Sequence, residues 1–464
     1  MKSRVFLRSL TIAAPLAATL LLLCGLMLPR IFAQEPPNEQ SGQDTEPPPP
    51  GSQVTLELRS GQRPPMKLAV PAFRVGGAMA GAAAATAQEI EAVVRQDLLN
   101  SGYFTLLGPS ELSSLSLSGD IQRDLEAYRS VGSETVLLGD LRAEGDKIVF
   151  EGRLFDVASG QAILAKRYRG AFPVGRRIAH TFADEVIHFL TGTQGISLSS
   201  LAFTSDRSGN KEIYTMDYDG QNQRRVTGHR STSMSPAWTP DGNGIGYTSF
   251  FNGAPGIYLA DLASGRKKPL VTSGSLNMTP TFSPDGQHIA FARSLDGNVE
   301  IFTADINGGN LRRLTHSNAI DANPAWSPKG DNIAFTSGRA GNPHIYMTDS
   351  EGTNQRRLTF DGTYNDGASW SPAGDLIAYT SRRDGRFQIV ITNVGTLASR
   401  VLTSGPGENE SPTFSPDGRK IAFVSARGGK KQIYVMDLDG GNLHALTSEG
   451  NNDMPDWSRA VPAQ

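Results

Sequence analysis

The sequence predicts two folded parts in series, a small α/β amino-terminal domain and an all-β six-bladed β-propeller closed by pairing of its first and last strands. Three observations carry this reading. After residue 199 the chain repeats itself every 44 residues. Before that point, stretches of strand-like and helix-like apolar spacing alternate. Gly occurs 50 times and Pro 28 times in 464 residues, and that much punctuation suits many short elements joined by tight turns. The expected divisions are residues 1–33, 34–52, 53–195 and 196–464. Hydrophobic residues make up 38 % of the chain, enough for a packed core. The formal net charge of −2 argues against a nucleic-acid binder, which needs a strong basic excess to neutralise phosphates.

Residues 1–33 have the three parts of a secretory signal. Lys2, Arg4 and Arg8 form a positive start, Leu10 to Leu28 is an apolar stretch, and Ile31-Phe32-Ala33 offers a cleavage site. Cleavage after about Ala33 places the remainder in the periplasm. The alternatives are an uncleaved anchor, because the apolar stretch is near the spanning minimum, and a lipoprotein signal at Cys24, where Leu23 is large for the position before the cysteine. Cys24 is the only cysteine, so the mature chain has no disulfide, no Cys-ligated metal and no thiol nucleophile. Without the leader's four cations the net charge becomes −6. Residues 34–52 are Pro-rich and acidic and lack large apolar side chains. They cannot bury enough surface to offset ordering, so they read as a disordered tether.

In residues 53–195, Val54-Thr55-Leu56-Glu57-Leu58 alternates like a strand and Lys67 to Phe73 reads as a buried strand. Thr86 to Asn100 has helical spacing and stops at Gly102. Tyr103 to Leu107 reads as a strand and Ile121 to Val131 as a helix. Thr135 to Leu138, Lys147 to Asp156 and Gln161 to Arg169 read as three more strands, and Val174 to Leu190 as a third helix. No Gly-rich phosphate loop stands at a strand-to-helix turn.

In the repeat, an aromatic residue followed by Ser or Thr recurs at Trp238, Phe282, Trp326, Trp370, Phe414 and Trp457. The first five open hairpins of the form Trp238-Thr239-Pro240-Asp241-Gly242, where Pro presets the first turn dihedral and Gly supplies the positive one. A third strand recurs at Ile213, Ile257, Ile301, Ile345, Ile389 and Ile433, and a fourth at Thr227, Thr272, Thr315, Thr359, Thr403 and Thr447. Four strands per repeat make a propeller blade, and a ring of blades buries the apolar faces that one blade leaves wet. The final Trp457-Ser458 has no second strand after it, and the opening Leu201 to Ser205 has no first strand before it. The two fit together as one blade, which closes the ring and covers its open edges.

These residues resemble the TolB family of the Tol-Pal system, with its PD40 (WD40-like) repeats, over nearly the whole mature chain. The turns around Trp238 to Gly242 carry part of the likeness. Gln53 to Gly61, Leu68 to Phe73, Asp97 to Phe104 and Ala179 to Glu185 carry the rest. The resemblance implies a non-enzymatic, monomeric periplasmic scaffold with no cofactor. It implies binding to a Pal-like peptidoglycan-associated lipoprotein through one propeller face and to a TolA-like inner-membrane protein through the amino-terminal segment, Val54, Thr55, Leu56, Glu57 and Leu58. Such a protein is peripheral to the membrane through its partners and supports outer-membrane integrity and constriction in division. One departure from the family pattern is the acidic tether ahead of Gln53.

A polar residue recurs three positions before the blade proline, at Ser233, Asn277, Asp321, Asn365, Asn409 and Asn452. Fold logic puts these at the loop entering the innermost strand, around one mouth of the central channel. They either receive a loop of the Pal-like partner or cap loop backbone as short polar side chains do. Arg207, Arg339, Arg382, Arg383, Arg386, Arg427, Lys430 and Lys431 lie in loops expected on the same face. They form either a basic rim for an acidic partner or ordinary solvated charge. Asp217-Tyr218-Asp219-Gly220 lacks the full calcium-loop spacing and reads as a turn. His180 stands four residues from Asp184 and reads as a local pair or a domain-interface group.

The rival class is an enzyme, since similar propellers cap serine peptidases. That chemistry needs Gly-x-Ser-x-Gly in a separate α/β domain, and the sequence contains no such motif. No catalytic or metal-ligating residues are assigned. A propeller that binds sugars or small ligands in its channel is the remaining alternative.

Overall fold

The computed structural model describes residues 64–77, 79–295 and 297–459. The leader, the tether and the Val54–Leu58 segment lie outside the described residues. Among the described residues no helix is long and apolar enough to cross a membrane.

The first part is a six-stranded sheet. Strands β1 (Met66–Ala69), β2 (Arg74–Gly76), β3 (Phe104–Leu106), β4 (Thr135–Glu144), β5 (Lys147–Asp156) and β6 (Ala162–Ala171) run in the order β3-β1-β4-β5-β6, with β2 also on β4. The short strands β1, β2 and β3 pair in parallel and the long β4, β5 and β6 antiparallel. Helices α1 (Ala82–Asn100) and α4 (Gly175–Thr191) cover one face. Their Ile90, Val94, Leu98, Phe182 and Val186 bury against Leu137, Phe150 and Leu154. Helix α3 (Ile121–Ser130) closes a second, smaller core around Ala69, Val136 and Val157 through Tyr128. Gly152 is a packing requirement, because a Cβ there would lie 2.2 Å from the Phe182 ring.

The expected elements appear with shifted ends. The strand expected over Lys67 to Phe73 stops at Ala69, and β4 extends to Glu144 because it forms a long hairpin with β5. A short helix α2 (Pro109–Ser113) was not expected; its Glu111 side chain accepts the Gly108 N–H at 2.8 Å and caps the turn.

The second part is six four-stranded antiparallel sheets in a ring. In chain order from the closing sheet, blade 1 joins Asn452–Trp457 to Ser200–Ser208, Asn210–Asp217 and Arg224–Arg225. Blades 2 to 6 begin with Ser233–Trp238, Leu276–Phe282, Asp321–Trp326, Asn365–Trp370 and Asn409–Phe414. The second-strand aromatics Phe203, Tyr247, Phe291, Phe335, Tyr379 and Phe423 are fully buried, and the blades stack on this layer. The closing pair forms as expected, and its register sets Trp457 opposite Leu201 and Asn452 opposite Ser205. Ser458 and Ser200 exchange two bonds at 2.8 Å, and the Trp457 indole donates to Ser199 Oγ at 2.9 Å. The fourth strands are held at their ends by the repeating Thr, whose hydroxyl accepts a third-strand N–H, as from Ile213 to Thr227 at 2.8 Å.

Candidate partner-binding site

Antiparallel strands give each blade two ends. At one end the Pro-Gly turns between first and second strands meet the loops between third and fourth; Leu262 N–H, for example, donates to Asn243 O. At the other end the loops between second and third strands meet the loops that enter the innermost strands, as where Phe250 N–H donates to Thr232 O.

The small domain sits on the Pro-Gly end. The Arg419 guanidinium lies 4.0 Å from the centre of the Tyr103 ring. Arg176 of α4 pairs with Asp217 at 3.2 Å and with Asp219. Asp97 of α1 takes the Tyr218 hydroxyl at 2.6 Å and His180 Nδ1 at 2.6 Å. His180 is therefore a domain-interface group, paired across two helices with Asp97. The local pair with Asp184 does not form, because Asp184 turns to accept the Ser197 N–H of the linker at 3.0 Å. Burial opposes charge on His180, but the hydrogen bond and charge of Asp97 outweigh it and raise its pKa. Burial pushes the Asp184 carboxyl up to about 6, against the hydrogen bonds from Ser197. The Asp217-Tyr218-Asp219-Gly220 segment is a turn, closed by Gly220 N–H on Asp217 O at 2.9 Å.

The central channel holds a cavity of about 840 Å³. Its wall runs from the middle of the innermost strands to the Pro-Gly end, where Pro328, Pro372 and Pro416 of the turns and Thr193 to Ile196 of the linker also line it. Each strand carries a bulge there, visible as a register shift such as that between Met234 and Ala237. The bulge residues Ser235, Thr279, Asn323, Gly367, Ser411 and Met454 all have positive φ and all line the cavity. Five of the six are not glycine, a strained arrangement that the blade-to-blade bonds hold in place. Ser411 N–H, for instance, donates to Thr380 Oγ1 of the preceding blade at 2.9 Å. Sequence reasoning passed over this ring, although each member stands two positions after a residue of the polar set. Trp326, Trp370 and Asp456 also line it. Asp456 accepts Trp238 N–H at 2.7 Å, and burial pushes its carboxyl up to about 7.

The polar set Ser233, Asn277, Asp321, Asn365, Asn409 and Asn452 does form a ring, at the opening end of the innermost strands. The expectation that it presents side chains to the mouth needs correction, since all six residues have no exposed surface. Their groups are turned inward. Asn409 accepts Ser425 Oγ–H at 2.8 Å and donates to Gln388 at 3.1 Å, and Asn452 donates to Gln432 at 2.8 Å. Asn365 donates to Asp361 O at 2.9 Å and Asn277 to Ser273 O at 3.0 Å. Their hydrogen bonds fix the entering loops, so the ring shapes the mouth from beneath.

The basic rim is also reduced. Arg207, Arg339 and Arg427 are half-buried clamps. Each lies over two aromatic rings of its own blade, at 4.8, 4.9 and 4.9 Å for Tyr214, Tyr346 and Tyr434. Each also reaches a ring residue, as Arg339 does Asp321 at 2.8 Å and Arg207 does Asn452 at 3.0 Å. Arg383 donates to Ser381 Oγ at 3.0 Å, and Lys431 pairs with Glu410 at 2.6 Å. Arg382, Arg386 and Lys430 are the exposed remainder, on adjacent blades 5 and 6.

Comparison with known proteins adds the following. The family model described as TolB beta propeller domain matches residues 187–410 and 398–461, and that of the TolB amino-terminal domain matches residues 54–163. The Tol-Pal system protein TolB of Geobacter sulfurreducens is 39 % identical over 159 residues, 34 % of this chain and 37 % of the relative. The protein TolB homolog of Chlorobium chlorochromatii is 38 % identical over 165 residues, 35 % of this chain and 37 % of that one. This chain therefore spans just over a third of the length of these curated relatives. The crystal structure of TolB from Acinetobacter baumannii superposes with a TM-score of 0.74 at 27 % identity, covering 86 % of this chain and 98 % of that one.

Proposed function

The chain belongs to the TolB family, and from that premise we propose that it is a non-enzymatic periplasmic scaffold of the Tol-Pal system. It docks a Pal-like lipoprotein on the open end of the propeller and engages a TolA-like protein through Val54 to Leu58. In this reading it supports outer-membrane integrity and constriction, as a monomer peripheral to the membrane. The observation that carries the reading is the asymmetry of the ring. Among the described residues, the small domain's contacts with the propeller lie at the Pro-Gly end and none is at the opposite mouth. That mouth has fixed loops held by the buried polar ring, and exposed cations at Arg382, Arg386 and Lys430. A rigid mouth loses little freedom on binding, and its cations set the approach of an acidic surface.

The test is binding of a purified Pal-like lipoprotein domain to the full chain. Charge reversal at Arg382 and Lys430 is expected to slow association several-fold at low salt. The difference from the native chain closes as salt rises, because exposed charges are screened beyond about 8–10 Å. Unchanged association at low salt removes the basic patch from the interface. Absence of any binding removes the Pal-like reading.

A further inference from the structure

The buried ring also takes part in the joints between blades. Three of its asparagines donate across a junction to the third strand of the preceding blade. Asn409 donates to Gln388 Oε1 at 3.1 Å, Asn452 to Gln432 Oε1 at 2.8 Å and Asn365 to His344 Nδ1 at 2.8 Å. The register that pairs these residues places Asp321 against Glu300 at the junction of blades 3 and 4. There an oxygen stands where those three junctions have an amide donor.

The Ser337 hydroxyl faces the Asp321 carboxylate and favours its charged form, and the other protons around it are engaged elsewhere. Glu300 Oε1 accepts from Arg313 at 2.7 Å, from Ser317 N–H at 2.8 Å and from Asn298 at 3.0 Å. Glu300 Oε2 takes the single hydroxyl proton of Thr315 at 2.6 Å, while Thr315 Oγ1 itself accepts Ile301 N–H at 2.9 Å. Asp321 Oδ2 accepts from Arg339 at 2.8 Å. Asp321 Oδ1 is buried with no partner, and both acids have no exposed surface. If Asp321 were ionised, that oxygen would stay unsatisfied and two carboxylates would share a dry junction, each of which is costly.

We propose that Asp321 carries a proton in the folded protein and donates it from Oδ1 to the Glu300–Thr315 oxygens, so that this one junction is a proton-held joint. The charged groups facing Asp321 are Arg339 from its own blade and Glu300, with Arg313 behind it, from the preceding one. Burial, reinforced by Glu300, outweighs Arg339 and pushes the Asp321 carboxyl up to about 6. A folded value above the unfolded one of about 4 means the joint contributes fully in acid and is lost as pH rises through about 6. The joint does not depend on which partner the mouth takes.

The test is thermal unfolding of the full chain at a series of pH values between roughly 4 and 8. Asp321→Asn installs the amide donor that three other junctions use. Its Tm is expected to match the native chain at the acid end and to exceed it by about 3 °C or more at the alkaline end. Glu300→Gln removes the acid pair from the other side and is expected to flatten the same pH dependence. A Tm difference between Asp321→Asn and the native chain that stays constant across the series overturns the joint. So does a Glu300→Gln profile parallel to the native one.

Discussion

Tyr218 shows how much can rest on one hydroxyl. It is almost fully buried between the two domains, and its O–H is committed to Asp97. Tyr218→Phe keeps the ring against His180 and removes that bond together with the one the hydroxyl accepts from Asn100 at 3.4 Å. It is expected to weaken domain docking by about 1–3 kcal/mol, since Asp97 loses a buried donor. The measurement is the rate of proteolysis in the linker over residues 192–199, which should rise while the propeller's own unfolding stays unchanged. The neighbouring acids and bases set a pH dependence with a definite sign. His180 is raised by Asp97 and Asp184 by burial to about 6, so the folded chain holds more protons at these groups than the unfolded one. Their contribution to folding is full below the unfolded values and is lost as pH rises through the folded value of each group. Thermal stability of the small domain is expected to fall from mildly acid to mildly alkaline pH; a flat profile removes both groups from that dependence. His180 and Asp184 were visible as a helical pair in the sequence. Their true partners were not, because Asp97 lies on another helix and Ser197 on the linker, and only tertiary packing brings them together.

Within the innermost strands, the same position serves different ends. Asn409 satisfies Gln388, Ser425 and Arg427 at once. Asn409→Ala is expected to strand those buried groups and cost about 2–4 kcal/mol in thermal unfolding. The Ser233 hydroxyl at the equivalent place in blade 2 is buried with no partner. Ser233→Ala should therefore leave stability unchanged or raise it slightly, and a large loss there would show that Ser233 has a role the present contacts omit. The strands themselves were legible, since an aromatic-Ser-Pro-x-Gly turn and a Thr at the fourth strand recur at fixed spacing. The direction of the polar side chains was not. A ring of Asn and Asp beside a channel reads equally as a contact surface or as internal bonding, and the choice depends on the bulge that follows. That bulge puts Ser235, Thr279 and Ser411 at positive φ, two positions after the buried polar residue of each strand.

At the scale of the molecule, the blade count, the closure and the order of the two parts could all be read from the repeat and from the incomplete repeat at each tip. What could not be read was which end of the propeller the small domain covers. That follows from Arg176, Tyr103 and Asp97, whose partners sit in turns that look like any other turn in the repeat. It decides which mouth is accessible, and with it the salt dependence expected for the acidic partner.

The clasp between Asn452–Trp457 and Ser200–Ser208 has a consequence in time. Ribosomes and export machinery deliver a chain in order, and the strand at 200–208 arrives some two hundred and fifty residues before its mate. Until then its edge is bare, and an unmatched edge invites pairing with other molecules. Bringing such distant segments together is also an entropically slow step. Maturation of this protein is thus gated by its final stretch, and the interval before that stretch emerges is when a holding chaperone would matter most.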